Sequence, residues 1–563
     1  MKLKSIKTFA FLTGIFVFQL SGLSQWATDL TLNTPVCNLS GSQRDARIIE
    51  DGAGGAFIVW RDSRAGSPDI YVQRMSSAGV PLWTINGIGA CTNFSDQSTP
   101  SLVSDMAGGI IITWSDWRSG IERDIYAQRI DGNGNMLWTI DGAIVTDKTE
   151  REHNERIISD DAGGCIIAWE QQNSSTWTWE IWAQRLNSNG VRMWGNGGVS
   201  ICTNTSNKRN PKLQRDRNNG GFITWQDLRN GFEYDIYAQR ISSGGTLLWG
   251  STGLAICNAS NDQTNPKIDP DTITNGIYVA WADERNPGNS HDIYCQRVDA
   301  NGNFMWTANG VAVCTTTGGQ TAVDILAEAY IDGVFLTWKD SRNGNSDIYA
   351  QRLNAAGVPQ WTTNGLPVCN SSLDQRNPNI CYNESGGAII VWEDSTQTTL
   401  NDIKAQRINA SGGMLWLNNG VVVSNNAAMQ KAPKSVSDKN GGVIVVWDDY
   451  RQSVSQRDVY AQRLDENGNP IGISENEKFK SSVSVFPNPF EDQFIIEFDS
   501  FVSGEVNYVL TDLNGREVLK GTVNTNASSS PEFPVLTQEL DKGIYLLNLS
   551  WKNNAATVKL AKY

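Results

Sequence analysis

The chain has 563 residues, of which 39% are apolar and 19% are charged, a balance typical of folded globular proteins. Its net charge of −14 argues against a protein that binds nucleic acid or anionic membranes by neutralising phosphates. With two histidines, His153 and His291, it cannot build a multi-histidine metal centre. We therefore expect no metal, no cofactor and no nucleic-acid partner.

Residues 1–24 have the order of a secretory signal peptide. Lys2, Lys4 and Lys7 precede an apolar run at 9–20 and a small-x-small triplet at 22–24. An N-terminal anchor helix is the alternative, but this run is shorter than the ~20 residues that span hydrocarbon. No other segment approaches that length. We expect removal of the peptide near residue 25 and a mature protein without an integral membrane segment.

Residues 25–473 contain eight copies of one unit. Each copy has an apolar segment that ends in tryptophan, and these tryptophans are 54 to 57 residues apart. They are Trp60, Trp114, Trp169, Trp225, Trp281, Trp338, Trp392 and Trp447. A second segment follows in every copy, most often as Asp-Ile-Tyr-Ala-Gln-Arg, and a third segment with another tryptophan follows in seven. Glycine- and asparagine-rich turns separate four short apolar segments that lack a sustained helical period, so each copy predicts four antiparallel strands.

Four strands in ~55 residues, repeated eight times, predict an all-β fold with an eight-bladed β-propeller. A β-solenoid is the alternative. The last copy stops early, whereas residues 30–37, ahead of the first copy, match the end of the fourth segment elsewhere. Because pairing these two pieces removes a free sheet edge, we predict that residues 31–36 join the blade built from 435–473 and close the ring.

Residues that recur in every blade are expected to hold the blades together. The Asp-x-Arg triplets after the anchor tryptophan, such as Asp62 and Arg64, predict loop-tying ion pairs, with a ring of repeated ligand sites as the alternative. Six of the nine cysteines share one repeat position and are predicted to be unpaired, because packed sheets lie ~10 Å apart. The other three, Cys165, Cys295 and Cys381, are predicted to be buried as small apolar residues, and an odd total excludes complete intramolecular pairing. The Asp-x-Asn-Gly-Asn segments, such as 131–135, predict hairpin turns, since the distal glutamate of a calcium loop is absent.

Three tryptophans outside the repeat pattern, Trp117, Trp177 and Trp179, mark the candidate ligand site. Three further tryptophans that do not fit the pattern are Trp26, Trp182 and Trp551. Antiparallel order places the loops of the candidate residues on the ring face where the first strands begin. The glutamines near those strand starts are Gln43, Gln97, Gln375 and Gln430. Aromatic side chains beside amides and carboxylates suit stacking on sugars, and packing of the indoles on neighbouring loops is the alternative.

The sequence therefore predicts a non-catalytic propeller that binds an extracellular polymer, either glycan or protein. No Gly-x-Ser-x-Gly segment is present, and most carboxylates recur from blade to blade, so we assign no catalytic residue. A carbohydrate-active hydrolase with carboxylates in the propeller channel is the alternative.

A polar linker at 474–482 leads into residues 483–563, whose short alternating segments predict a small β-sandwich. These residues closely resemble the type A C-terminal sorting domain of the type IX secretion system of Bacteroidota. The matching motif residues are Pro487, Asn488, Pro489, Asp512, Asn514, Gly515, Gly543 and Tyr545. The resemblance implies export to the periplasm, recognition by the outer-membrane translocon, removal by a sorting-domain peptidase, and release or attachment at the cell surface. An ordinary accessory sandwich is the alternative.

Overall fold

In the computed structural model the described residues are 26–288, 290–328, 332–396, 400–453, 456–472, 483–498, 502, 504–512, 516–525, 532–551 and 554–563. Regular structure in these residues consists of 39 β-strands. The predicted signal peptide and linker lie outside the described residues.

Seven of the blades are antiparallel sheets of four consecutive strands. Blade 1 is β2 (Gln43–Glu50), β3 (Ala56–Asp62), β4 (Asp69–Met75) and β5 (Ile88–Cys91); blade 2 is β6 (Gln97–Ser104), β7 (Ile110–Asp116), β8 (Asp124–Ile130) and β9 (Ala143–Ile144). Blade 3 is β10 (Glu152–Ser159), β11 (Cys165–Gln172), β12 (Trp179–Leu186) and β13 (Val199–Ser200); blade 4 is β14 (Lys208–Arg215), β15 (Gly221–Asp227), β16 (Asp235–Ile241) and β17 (Leu254–Cys257). Blade 5 is β18 (Gln263–Asp271), β19 (Gly276–Asp283), β20 (Asp292–Val298) and β21 (Val311–Cys314). Blade 6 is β22 (Gln320–Ala327), β23 (Gly333–Asp340), β24 (Asp347–Asn354) and β25 (Leu366–Cys369); blade 7 is β26 (Gln375–Asn383), β27 (Gly387–Ser395), β28 (Asn401–Asn409) and β29 (Val421–Ser424).

Blade 8 joins the two ends of the ring. Its strands are β30 (Gln430–Ser437), β31 (Val443–Ser453), β32 (Gln456–Leu464) and, from the N-terminal side, β1 (Thr34–Cys37). Thr34 pairs with Ala461 and Pro35 with Tyr460. The first strand of every blade contacts the first strand of the next, and β30 contacts β2. The eight-bladed propeller and its predicted closure are therefore confirmed.

Trp26 also belongs to blade 8, so the prediction that it lies outside the repeat is wrong. Its indole N–H donates to the Ser77 carbonyl of blade 1 at 2.9 Å. The Trp83 indole of blade 1 makes the equivalent bond to the Gly132 carbonyl of blade 2, at 3.2 Å. Trp26 thus supplies the third-segment tryptophan that the last copy lacks. The repeat was hidden because Trp26 precedes Cys37 by 11 residues, whereas Trp83 precedes its cysteine by 8.

Recurring polar side chains tie each blade internally and to the next one. In blade 1, Gln73 donates to the Thr84 carbonyl and accepts the backbone N–H groups of Arg74 and Trp83. The Arg74 guanidinium pairs with Asp51 of its own blade and donates to the Gly132 carbonyl of blade 2. These contacts satisfy polar groups that burial would otherwise penalise.

The predicted Asp-x-Arg ion pairs are confirmed. Arg64 lies 2.6 Å from Asp62 and 3.7 Å above the Tyr71 ring, and Asp62 accepts the indole N–H of Trp60. The same pair occurs at 116/118, 227/229, 283/285, 340/342 and 449/451. Cys37 contributes its sulfur to this cluster, and burial raises its pKa to about 12. All nine cysteines are free and buried, which confirms that the six at the repeat position are unpaired and that the other three are buried.

The Asp-x-Asn-Gly-Asn segments are hairpin turns, as predicted. Asp131 accepts the N–H groups of Asn133 and Asn135 with one carboxylate oxygen. Within the described part of the chain, no cluster of three or more potential metal ligands occurs.

The C-terminal strands form two sheets around one apolar core. One sheet holds β33 (Val483–Phe486), β34 (Gln493–Phe498) and β37 (Glu532–Leu536). The other holds β35 (Gly504–Asp512), β36 (Glu517–Thr525), β38 (Gly543–Trp551) and β39 (Asn554–Lys562). Phe494 of the first sheet and Leu547 of the second are both buried in this core, which confirms the small sandwich.

Candidate functional site

The strand order gives the ring two distinct faces. On one face, which we call the entry face, the first strands begin. The loops between the second and third strands lie on the same face. The opposite face carries the hairpin turns between first and second strands and between third and fourth strands. Trp117 and Trp177 belong to entry-face loops, and Trp179 is the first residue of β12.

The structure places Trp117 and Trp177 on the entry face in neighbouring blades. Trp177 is 73% exposed in the loop of blade 3, and Trp117 is 39% exposed in the loop of blade 2. The corresponding loop of blade 4 presents Phe232, which is 92% exposed and which sequence analysis missed. We call Trp117, Trp177 and Phe232 the aromatic arc. Among the described residues of blades 5 to 8, no large apolar side chain is exposed in this loop.

Trp179 lies beside the arc but is half-buried. Its ring packs 4.3 Å from the His153 ring, and the Arg209 guanidinium lies 4.8 Å from it. Arg209 and His153 both approach the buried Glu170 carboxylate, at 2.7 and 3.4 Å. Trp179 therefore packs against neighbouring side chains, as the alternative interpretation expected.

The four entry-face glutamines are buried and do not form a ligand surface. Gln97 donates to the Ser95 carbonyl at 2.7 Å, and Gln375 and Gln430 donate to carbonyls of their own loops in the same way. Gln43 donates instead to the Asp62 carboxylate at 3.4 Å. Blade 4 places Lys208 at this position, where its ammonium donates to the Ser206 carbonyl at 2.9 Å. Blade 3 has Glu152 at this position, and burial raises the pKa of the Glu152 carboxyl group well above its usual range.

A bulge in every first strand shapes the entrance of the central channel. The third residue of each strand has a positive φ between 52° and 61°. These residues are Asp45, Thr99, Asn154, Asn210, Asn265, Ala322, Asn377 and Ala432. Several are held from the preceding blade: Asn210 donates its N–H to Glu170 at 2.6 Å, and Ala432 donates to Glu393 at 2.8 Å. These carboxylates therefore have a bracing role in the ring.

The bulges surround a cavity of about 650 Å³ in the channel, lined by first strands of six blades. Four cationic side chains line it: Arg47, Lys212, Lys267 and Lys434. Arg156 occupies the same strand position in blade 3, and its charge acts on Lys212. Burial and the neighbouring charge of Arg47 lower the pKa of Lys434 to about 8. We call these five residues the cationic ring.

Asp269 and Asp324 lie on the first strands of blades 5 and 6, and their charges interact. Asp324 accepts from Lys267 at 2.9 Å and from Asn379 at 2.8 Å. Although burial opposes it, the Lys267 ammonium keeps the pKa of Asp324 below its ordinary value. Burial raises the pKa of Asp269, in the adjacent blade, to about 7, and the Asp324 charge adds to this shift. Asp269 therefore keeps its proton to a higher pH than Asp324 does.

Sequence analysis missed the cationic ring, although its signal is present in the repeat. The fifth residue of the eight first strands reads Arg47, Ser101, Arg156, Lys212, Lys267, Asp324, Asn379 and Lys434. Five cations at one varying position stand out once the strand starts are aligned.

The sorting-domain motif residues lie near the C-terminal strand or at strand ends. Asn488, between Pro487 and Pro489, donates to the Lys559 carbonyl at 2.8 Å and accepts the Ala561 N–H at 3.0 Å. The other described motif residues are Asp512 at the end of β35, Gly543 at the start of β38, and Tyr545, whose hydroxyl donates to the Asp541 carbonyl. Asn514 and Gly515 lie outside the described residues.

The comparisons identify the tail and leave the ring unassigned. Residues 484–562 match the model of the secretion system C-terminal sorting domain. No curated protein matches the sequence.

Similar solved structures include an endo-arabinase from Bacteroides thetaiotaomicron, with 15% identity, a TM-score of 0.27, and coverage of 47% of this chain and 96% of that one. A Mycobacterium tuberculosis puromycin-hydrolyzing peptidase has 11% identity, a TM-score of 0.37, and coverage of 72% and 58%. A Penicillium chrysogenum α-L-arabinanase complexed with arabinobiose has 12% identity, a TM-score of 0.29, and coverage of 53% and 92%. At these scores the similarities assign no activity to this chain.

None of the described residues forms a helix that could cross a membrane. The sorting domain implies secretion or export to the cell surface. Residues 484–562 are thus a type IX secretion C-terminal sorting domain, carried by a chain whose other folded part is an eight-bladed β-propeller.

Proposed function

We propose that the protein is a secreted or surface-held propeller that binds an extracellular glycan polymer through its entry face. The observation that carries this proposal is the aromatic arc, which breaks the symmetry of the ring. Trp117, Trp177 and Phe232 occupy the same loop of three consecutive blades, and Trp177 and Phe232 are largely exposed. Exposed aromatic rings lose solvent contact at little conformational cost when they stack on sugar rings.

Polymer retention in affinity gels tests the proposal with the full chain. We expect retention by at least one polysaccharide in a panel of neutral and acidic polymers. The double variant Trp177→Ala, Phe232→Ala is expected to lose most of it. The matched control is Met106→Ala, since Met106 is 56% exposed in a turn on the opposite face. Unchanged mobility of the double variant would refute the site.

A second candidate, hydrolysis of the polymer, is favoured by the pair Asp269 and Asp324. Glycosidases commonly use one protonated and one ionised carboxyl group, and opposite pKa shifts are typical of such pairs. Asp269 would donate a proton to the leaving oxygen and Asp324 would act as the ionised partner. The measurement is release of reducing ends from the same panel. Loss of release in both Asp269→Asn and Asp324→Asn, but not in Lys520→Gln of the tail, supports hydrolysis; no release by the wild type refutes it.

A further inference from the structure

The cationic ring differs from the other recurring cations because most of its members lack a carboxylate partner. Arg74 and the arginines at its repeat position form ion pairs in seven of the eight blades, the exception being Arg407, which bonds to Asn383 and Ser385. In the ring, Lys267 meets Asp324, but Arg47 and Arg156 each donate to the carbonyl of the preceding residue. Both arginines thus lack an ion pair with a described carboxylate, although the nearby charges of Glu155 and Glu170 attract Arg156.

Two of the three lysines that line this cavity, Lys212 and Lys434, likewise form no ion pair with a described carboxylate. Lys212 donates to the Asn210 side chain and the Pro211 carbonyl, both neutral groups. Lys434 has no hydrogen bond or ion pair to any described residue. Burial, followed by the charges of Arg156 and Lys267, lowers the pKa of Lys212 well below its ordinary value. An anion in the cavity would relieve this repulsion.

The surroundings of the ring add neutral hydrogen-bonding groups. Asn210, Asn265 and Asn377 line the same cavity at the bulges. Arginine, lysine and asparagine side chains together suit a molecule that carries both anionic oxygens and hydroxyl groups. The volume of about 650 Å³ lies within the ~300 to 1,000 Å³ of small-molecule sites.

We propose that the channel cavity binds an acidic sugar, one that carries a carboxylate or a sulfate, at the end or on a branch of the polymer. The confined cavity favours one such unit over a uniformly charged chain, which the net charge of −14 would repel. The link to a polymer rests on the proposed function, since the bulges that line the cavity lie close to the entry-face ends of the first strands. The site itself depends only on the cationic ring.

Isothermal titration of the full chain tests the site with defined probes. Glucuronate and glucose 6-sulfate are compared with glucose at low and at high salt. We expect binding of at least one acidic probe, none of glucose, and weakening of more than tenfold at high salt. The two acidic probes distinguish a carboxylate from a sulfate as the recognised group.

Two variants place the binding in the ring. Lys212→Gln with Lys434→Gln is expected to reduce acidic-sugar affinity by more than tenfold, whereas Lys520→Gln, exposed in the tail, has no effect. The double variant must melt at or above the wild-type temperature, because it removes two charges that burial and neighbouring cations disfavour; a lower melting temperature would contradict the reasoning.

The outcomes separate this inference from the proposed function. Equal affinity for glucose and glucuronate, no binding of either acid, or binding that survives the double variant overturns the acidic-sugar site, while gel retention that depends on Trp177 would still support the polymer proposal. Acidic-sugar binding without retention of any polymer would keep the site and refute the proposed function.

Discussion

Replacing Lys434 with methionine is expected to stabilise the protein at pH 7. Methionine keeps the apolar stem of the side chain and removes a charge that the fold disfavours. The charged groups that act on Lys434 are Arg47 and Lys267, which repel it, and Asp324 and Glu393, which attract it. Burial and repulsion outweigh attraction, since the pKa of Lys434 is lowered.

The magnitude follows from that shift. The pKa of Lys434 falls from 10.5 to about 8. Each tenfold change in proton affinity corresponds to ~1.36 kcal/mol, so the charged lysine costs roughly 3 kcal/mol of unfolding free energy at pH 7. Relaxation of neighbouring cations reduces the gain, and we expect about 1 to 3 kcal/mol from Lys434→Met.

The pH dependence gives the sign of the effect independently. For a lysine whose folded pKa is depressed, the cost is fully present below the folded pKa and disappears as pH rises towards the unfolded value. The stability advantage of Lys434→Met should therefore be largest at pH 7 and shrink between about pH 8 and 10.5. Chemical denaturation of both proteins across this range measures it. A variant less stable than the wild type at pH 7, or an advantage that grows with pH, would refute the reasoning.

Three further changes test the fold. Gly87→Ala should lower the melting temperature, because the added Cβ would lie 2.4 Å from the Trp60 ring. The control Gly66→Ala also has a positive φ but open space around the added Cβ, so it should cost only ~1 kcal/mol of unfolding free energy. Equal losses of stability in the two variants would contradict the packing argument. Trp26→Ala should destabilise the protein by ~3 to 5 kcal/mol in denaturant titrations, because Trp26 completes blade 8; a neutral effect would show that blade 8 does not need it. Asp269→Asn should raise stability more at pH 8 than at pH 5, because the raised pKa of Asp269 penalises its ionised form above about pH 7; the opposite trend in pH-dependent melting would contradict that environment.

The sequence predicts the propeller well because the residues that define the repeat make the same structural contacts in most blades. Asp62 and Arg64 recur two residues apart in six blades, Gln73 recurs in all eight, and each makes the same contacts in most blades. Eight copies of one pattern leave little freedom in strand number or order. Trp26 escaped detection because three extra residues separate it from its cysteine.

The candidate site was less predictable, because it depends on exposure and on convergence in space. Gln97 and Trp179 have the residue types of a sugar site, but both are taken up by contacts with neighbouring groups. Phe232 looked like an ordinary loop residue until the fold placed it beside the blade that carries Trp177. The cations that meet in the channel are more than fifty residues apart in sequence, and only ring closure brings Lys434 near Arg47.

Hydroxyl-radical footprinting of the full chain, with and without the polymer that it retains, tests most directly whether function lies where the symmetry of the ring is broken. Oxidation of Trp117, Trp177 and Phe232 reports on the entry face, and oxidation of Met106 reports on the opposite face. We predict that the polymer protects the three aromatic residues and leaves Met106 unchanged. Protection of Met106 alone, or equal protection of both faces, would contradict the account.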